Sequence, residues 1–244
     1  GLGVAQKQAE HGRERGHRQG ERQGDEEAPP EVGHHVGVVV AVPLAAALVA
    51  LMALVALVAL AASAGGLKAI RELLSHLPAD FPAAIVVVQH LAPNYQSMMA
   101  EILERSTPLR TKQAEEGDRI ECGMVHIAPP DHHLLVNGDG TLSLSHSELV
   151  HFVRPSADLL FESVAASHRE RAIAVVLTGT GSDGDMGVQA IKSTGGLVIA
   201  QDPESAEFPG MPRTAIDTGC VDLVLPLDEI PDRLLDLVDP CSSA

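Results

Sequence analysis

Three apolar runs of strand length, each stopping at a polar residue of a reactive type, constrain the fold of this chain most. Val55 to Ala62 runs into Ser63, Ile85 to Val88 into Gln89-His90, and Val175 to Leu177 into Thr178-Gly179-Thr180-Gly181-Ser182-Asp183. Runs apolar at every position suit strands buried on both faces, as in a parallel sheet covered by helices. Between the runs the period changes. Leu67, Ile70, Leu74 and Leu77 recur at helical spacing, so Gly65-Gly66 turns the chain from strand to helix. Met98, Met99, Ile102 and Leu103 mark a second helix that ends near Ser106, before Pro108. Met124 to Ala128 reads as a strand, and Leu134–Val136 with Leu142–Leu144 as a hairpin around Asn137-Gly138-Asp139-Gly140. A helix capped by Ser156 and reaching about His168, a strand over 173–177, a helix over 186–193, a strand over 197–200 and a helix over 228–238 complete the order. The expected fold is a three-layer, doubly wound, mostly parallel α/β sheet of Rossmann-like type with a β-hairpin insertion. Ligands of such sheets sit beyond the carboxyl ends of the strands, where Ser63, His90 and Asp183 all fall.

Composition narrows the function. The formal charge is -16, and the aromatics are four Phe and one Tyr with no Trp. A phosphate backbone would be repelled and bases would find no stacking platform, so nucleic acid is excluded as a partner. Cys122, Cys220 and Cys241 are far apart and form no Cys-x-x-Cys pair, which argues against a disulfide framework or thiolate zinc site and for a reducing cytoplasm. Residues 1–35 lack apolar periodicity and read as a disordered polar leader; the histidines His34-His35 lack further ligands at metal-binding spacing. Val36 to Ala62 carries no charge and is long enough to cross a bilayer, but its end is needed as the strand that delivers Ser63. Segment 36–54 is therefore left without an assigned role, a membrane tether ranking below a soluble protein with an ill-fitting leader. Ala62-Ser63-Ala64 also resembles a signal-cleavage site, yet the apolar stretch is too long and the tract before it too polar for a secretory signal. The catalytic unit is expected over residues 55–240.

Each candidate residue has a plainer role to set beside the chemical one. Ser63 at a strand–helix junction suits a helix cap; at a sharp turn beside free N–H groups it also suits a nucleophile. Its neighbours match neither the Gly-x-Ser-x-Gly elbow nor a phosphate-binding loop. A lone strand-end His90 is ordinarily structural, but beside a serine and an acid it becomes a candidate general base. Asp183 suits a cap of the following helix, as do Ser182 and Asp185, and also suits the acid that orients His90. Asp158, Asp202 and Glu207 are alternative acids, ranked lower because Asp183 follows a central strand. The backbone N–H groups of Ala64 and Thr180 are the expected oxyanion donors. His132-His133 lacks the partners of a metal pair and is assigned to the turn and the wall of the site. No metal or organic cofactor is expected.

Further segments occur in the same order: Ile127-Ala128-Pro129-Pro130-Asp131, Arg154-Pro155-Ser156-Ala157-Asp158, Ala200-Gln201-Asp202-Pro203-Glu204-Ser205-Ala206, Phe208-Pro209-Gly210-Met211-Pro212 and Val224-Leu225-Pro226-Leu227. Together with Ala62–Gly66, Gln89-His90 and Leu177–Gly184, this set closely resembles the C-terminal catalytic domain of the CheB-type chemotaxis protein-glutamate methylesterases over roughly residues 57–238. The resemblance implies hydrolysis of glutamate γ-methyl esters on methyl-accepting chemotaxis receptors, with glutamine deamidation in many members. It also implies Ser63 as nucleophile, His90 as base and Asp183 as orienting acid. Ala64 stands where many members have threonine and Thr180 where many have methionine; a backbone donor survives either change. The N-terminal part is too short and too unlike a receiver domain to imply control by phosphorylation. The chain resembles instead the esterase portion found alone or joined to a receptor methyltransferase. A generic serine esterase or amidase, or a non-catalytic scaffold of the same fold, are the alternative readings.

Overall fold

The computed structural model describes residues 56–90 and 97–238, so the readings of the leader 1–35, of segment 36–54 and of His34-His35 lie outside the described residues. The strands are β1 (Ala56–Ala62), β2 (Ala83–Gln89), β3 (Arg110–Gln113), β4 (Met124–Ile127), β5 (His133–Val136), β6 (Leu142–Ser145), β7 (Ala172–Val176), β8 (Leu197–Gln201) and β9 (Leu223–Leu225). Seven form one sheet in the order β3-β4-β2-β1-β7-β8-β9, with every pair parallel, while β5 and β6 form a separate antiparallel hairpin. The strand order reverses at β1, which has β2 on one side and β7 on the other. That reversal opens a crevice at the carboxyl ends of these strands.

The apolar runs are buried on both sides, as expected. Leu57 through Ala62 are fully inaccessible, Val58, Leu60 and Ala62 packing into one layer of core and Leu57, Ala59 and Ala61 into the other. At about 25 cal/mol per Å² of apolar surface, each buried Leu or Val contributes about 1.5–3 kcal/mol, so this strand is a main source of stability. Helices α1 (Gly66–Ser75) and α6 (Ile230–Val238) cover one face; α3 (Ala157–His168) and α4 (Asp185–Ser193) cover the other. The short helices α2 (Met99–Glu104) and α5 (Gly210–Asp217) lie in the connections after β2 and β8. No helix among the described residues is long and apolar enough to cross a membrane.

The expected elements all occur, with ends shifted by a residue or two; the strands β3 and β9 and the α-helix α5 were not anticipated. One helical face is also rotated. Leu67 is 36% exposed, and the buried stripe of α1 is Ala69, Ile70, Leu73 and Leu74. The reason is that Gly65 and Gly66 pack into the site, so the next residue points outward and the inward face begins at Ala69.

Among the described residues three imidazoles are buried, His126, His133 and His168. Burial holds each below the ordinary histidine value, His168 down to about 4. An unfolded histidine takes up its proton near pH 6.5, so the stabilisation is complete above that pH and is lost as pH falls through the folded values. For His168, whose folded value is about 4, the loss is on the order of 3 kcal/mol. Urea denaturation series from pH 7 to pH 4 should show a falling midpoint, and His168→Gln should flatten that acid limb.

Candidate active site

Ser63 and His90 become neighbours because β1 and β2 end together. Ala62 is registered opposite Gln89, so the next residues of the two strands lie side by side at the sheet's carboxyl edge. The ladder continues one step further: the N–H of His90 donates to the carbonyl of Ala62 (3.1 Å) and that of Ser63 to the carbonyl of Thr178 (3.0 Å). Buried Gln89 ties the two ends together, its Nε2 donating to the carbonyls of Ser63 (2.7 Å) and His90 (3.1 Å). The backbone of Ser63 is thus committed, while its hydroxyl makes no hydrogen bond among the described residues. Nor does the hydroxyl cap α1, whose N-cap is Gly65 in the left-handed region at φ 75°.

The turn is made tight by absent side chains. A Cβ on Gly66 would stand 2.0 Å from Gln89 Oε1, and one on Gly179 would stand 2.8 Å from Ser63 Cβ and 2.3 Å from Met211 Sδ. Thr178 closes the back of the turn, its Oγ1 donating to the carbonyl of Ala64 (3.1 Å) and accepting from the N–H of Phe208 (2.8 Å).

Asp183 follows β7 and is buried. One carboxylate oxygen accepts from His90 Nε2 (2.7 Å) and from the N–H of Ala157 (2.5 Å); the other accepts from Ser156 Oγ (2.7 Å) and the N–H of Asp158 (3.2 Å). It therefore caps a helix, but not the one that follows it in the chain: it sits on the N-terminus of α3, while Gly184 precedes α4. Ser156, read as the cap of α3, gives its hydroxyl to Asp183 instead. Burial would push the Asp183 carboxyl up, yet the donors from His90, Ala157 and Ser156 more than offset this and hold it below the usual carboxylate value. His90 Nε2 carries a proton in this arrangement, leaving Nδ1 as the nitrogen able to accept one. No hydrogen bond joins Ser63 Oγ to the His90 imidazole among the described residues; what brings the two residues together is the shared end of β1 and β2.

A second layer holds Asp183. The N–H of Ser156 donates to His133 Nδ1 (3.1 Å), and His133 Nε2 donates to the carbonyl of Glu148 (3.0 Å). His133 is fully buried and neutral, which refines its expected place in the wall of the site to a support under Ser156. Asp158 also supports the loop, one of its oxygens accepting from the N–H groups of Gly184 (3.0 Å) and Gly187 (2.8 Å). Burial, with repulsion from Asp183 and Asp185, raises its carboxyl to about 6. Arg154 donates to Asp131 (3.0 Å) and to the carbonyl of Ser147 (2.6 Å), bracing the segment that carries Ser156.

The expected oxyanion donors, Ala64 and Thr180, have backbone N–H groups without a hydrogen-bond partner among the described residues. Of the alternative acids, Asp202 caps its own turn at the N–H of Glu204 (3.0 Å). Glu207 and Gly65 line a cavity of about 320 Å³ against the back of the Ser63 turn, together with Thr178, Lys68, Glu72 and Asp228. His132 stacks edge-on against His146, ring centroids 5.4 Å apart. Sequence reasoning missed the roles of Gln89, Ser156 and His133. The signal for Gln89 was a polar residue closing an apolar run; for Ser156 and His133 there was none beyond a helix start and a place in a strand.

Comparison with known proteins shows the family and the fold of the chain. A family model described as CheB methylesterase matches residues 58–234. A Leptospira interrogans relative is 43% identical over 175 residues, 72% of this chain and 91% of its own length. The Thermotoga maritima protein-glutamate methylesterase/protein-glutamine glutaminase is 40% identical over 179 residues, covering 72% of this chain and 52% of that protein. The crystal structure of the Thermotoga maritima CheB methylesterase catalytic domain superimposes with a TM-score of 0.73 at 38% identity, covering 75% of this chain and 99% of that domain.

Removing one donor from the buried Asp183 carboxylate tests the support directly. Ser156→Ala should lower stability by about 1.5–3 kcal/mol, the value of a hydrogen bond to a charged group, as read from urea denaturation near neutral pH.

Proposed function

Because the chain belongs to the CheB methylesterase family, we propose that it hydrolyses glutamate γ-methyl esters on methyl-accepting chemotaxis receptors through Ser63, His90 and Asp183. The observation that carries this reading is the 2.7 Å bond from His90 Nε2 to buried Asp183 at the end of β2, next to the end of β1, where the Ser63 hydroxyl has no hydrogen-bond partner among the described residues. The Asp183 carboxylate holds the proton on Nε2 and stabilises the imidazolium, so Nδ1 is presented toward Ser63 as a base.

Ser63 Oγ attacks the ester carbonyl as its proton passes to Nδ1 of His90. The tetrahedral oxyanion faces the N–H groups of Ala64 and Thr180, which have no competing acceptor. Collapse expels methanol, which takes the proton from His90 and leaves an acyl-enzyme at Ser63. Water, deprotonated by the same nitrogen, then releases the glutamate side chain. A glutamine side chain passes through the same steps with ammonia as leaving group, in keeping with the second activity in the name of the Thermotoga relative. No step calls for a metal or organic cofactor. A methylated receptor segment is the proposed partner, with a receptor methyltransferase as a further proposed partner.

Methanol release from methylated receptor fragments tests the assignment. Ser63→Ala and His90→Ala should each lose at least about 10³-fold in kcat/KM, with the double variant little worse than either, because the groups act as a unit. Thr180→Ala should cost little, since the proposed donor is backbone, whereas Thr180→Pro removes the N–H and should be severe. Additive losses at Ser63 and His90 would contradict the shared mechanism. Turnover of small esters without turnover of the receptor fragment would replace the proposed substrate while keeping the chemistry.

A further inference from the structure

Beside the proposed active site, on the far side of Asp158, lies a cluster that the ester chemistry does not use. Val150 and Val153 pair through reciprocal backbone bonds (3.2 and 2.9 Å), making a tight turn with His151 and Phe152 at its tip. The turn brings His151 over the first turn of α3, where Asp158 is second in the helix, and next to the start of α4, where Asp185 is first. One ligand-type atom from each of His151, Asp158 and Asp185 lies within 4.8 Å of the others.

A second observation points to a ligand. Asp158 is only 3% exposed, and while its Oδ1 accepts from Gly184 and Gly187, its Oδ2 is buried without a hydrogen-bond partner. His151 Nε2 stands 3.1 Å from that oxygen but outside hydrogen-bonding direction. Two ligands each about 2.1 Å from a shared ion stand roughly 3–3.5 Å apart without pointing at one another, which is the relation seen here. The electrostatics run the same way: Asp183 and Asp185 both repel charge on Asp158, and a cation between Asp158 and Asp185 would relieve that repulsion.

We propose that His151, Asp158 and Asp185 bind a first-row divalent cation, with Zn²⁺ the ion that best suits them. One imidazole and two carboxylates match the nitrogen and oxygen ligand set of zinc. Three protein ligands, one of them nitrogen, fall short of the six to eight oxygens that calcium takes. His151 is exposed, so the site has an entry from solvent and room for water as a further ligand. The bound ion would join the His151 turn to the N-termini of α3 and α4 and so brace the loop behind Asp183.

The test uses the full chain, stripped of metal by dialysis against a chelator and titrated with Zn²⁺ against a chromophoric competitor. The remaining histidines are common to every protein compared, so their binding appears as a constant background. Wild type should show one site more than His151→Ala or Asp185→Asn, or bind at that site at least about tenfold more tightly. Zn²⁺ should also raise the thermal midpoint of wild type more than that of either variant. Neither substitution touches the buried core, and both proteins should fold without metal. Equal Zn²⁺ stoichiometry, affinity and thermal shift in all three proteins would overturn the proposal. Displacement of the ion by a modest excess of Ca²⁺ would overturn the assignment to a transition-type cation.

Discussion

The buried carboxylate of Asp183 is the interaction on which the site depends. It receives His90 on one side and the N-terminal turn of α3 on the other, so the loop after β7, the end of β2 and a helix that comes earlier in the chain all meet at one pair of oxygens. An isolated carboxylate in this position would be protonated or would destabilise the fold by several kcal/mol. Here the donors, aided by the positive end of the α3 dipole, hold it as an anion. An anion so fixed determines which nitrogen of His90 carries the proton. Local stability and the proposed chemistry are thus two consequences of the same set of hydrogen bonds.

The remaining geometry follows from strand register. Parallel strands that end level must deliver their next residues side by side, and the reversal of strand order at β1 leaves a crevice above them. Glycines at 66 and 179 then let Gln89 and Ser63 approach closer than any side chain would allow. The small residue at Ala64 and the polar one at Thr180 leave the backbone N–H groups at both positions available.

What could be read from the sequence was what burial imposes. Runs such as Leu57–Ala62 and Ala84–Val88 have no polar face to offer water, so their place in the centre of the sheet was legible, and with it the shared edge of Ser63, His90 and Asp183. Strand β3, Arg110-Thr111-Lys112-Gln113, carries no apolar signal because it lies at the sheet edge with its side chains largely in contact with solvent. Strand β9 is three residues long, and α5 holds Pro212 in its first turn, where proline is tolerated but resembles a loop signal. The capping assignments failed for a different reason. Local rules place Ser156 on α3 and Asp183 near α4, whereas tertiary contact hands the N-terminus of α3 to Asp183 and turns Ser156 into its donor. A cap supplied from another part of the chain leaves no mark in local spacing.

The most direct measurement of the central claim is the tautomer of His90, read by ¹⁵N and ¹H NMR of the imidazole in the neutral state. The geometry predicts the Nε2–H form, with a downfield proton that persists on Asp183 and shifts upfield in Asp183→Asn. A neutral His90 found in the Nδ1–H form, or an imidazole spectrum unchanged by Asp183→Asn, would contradict the account.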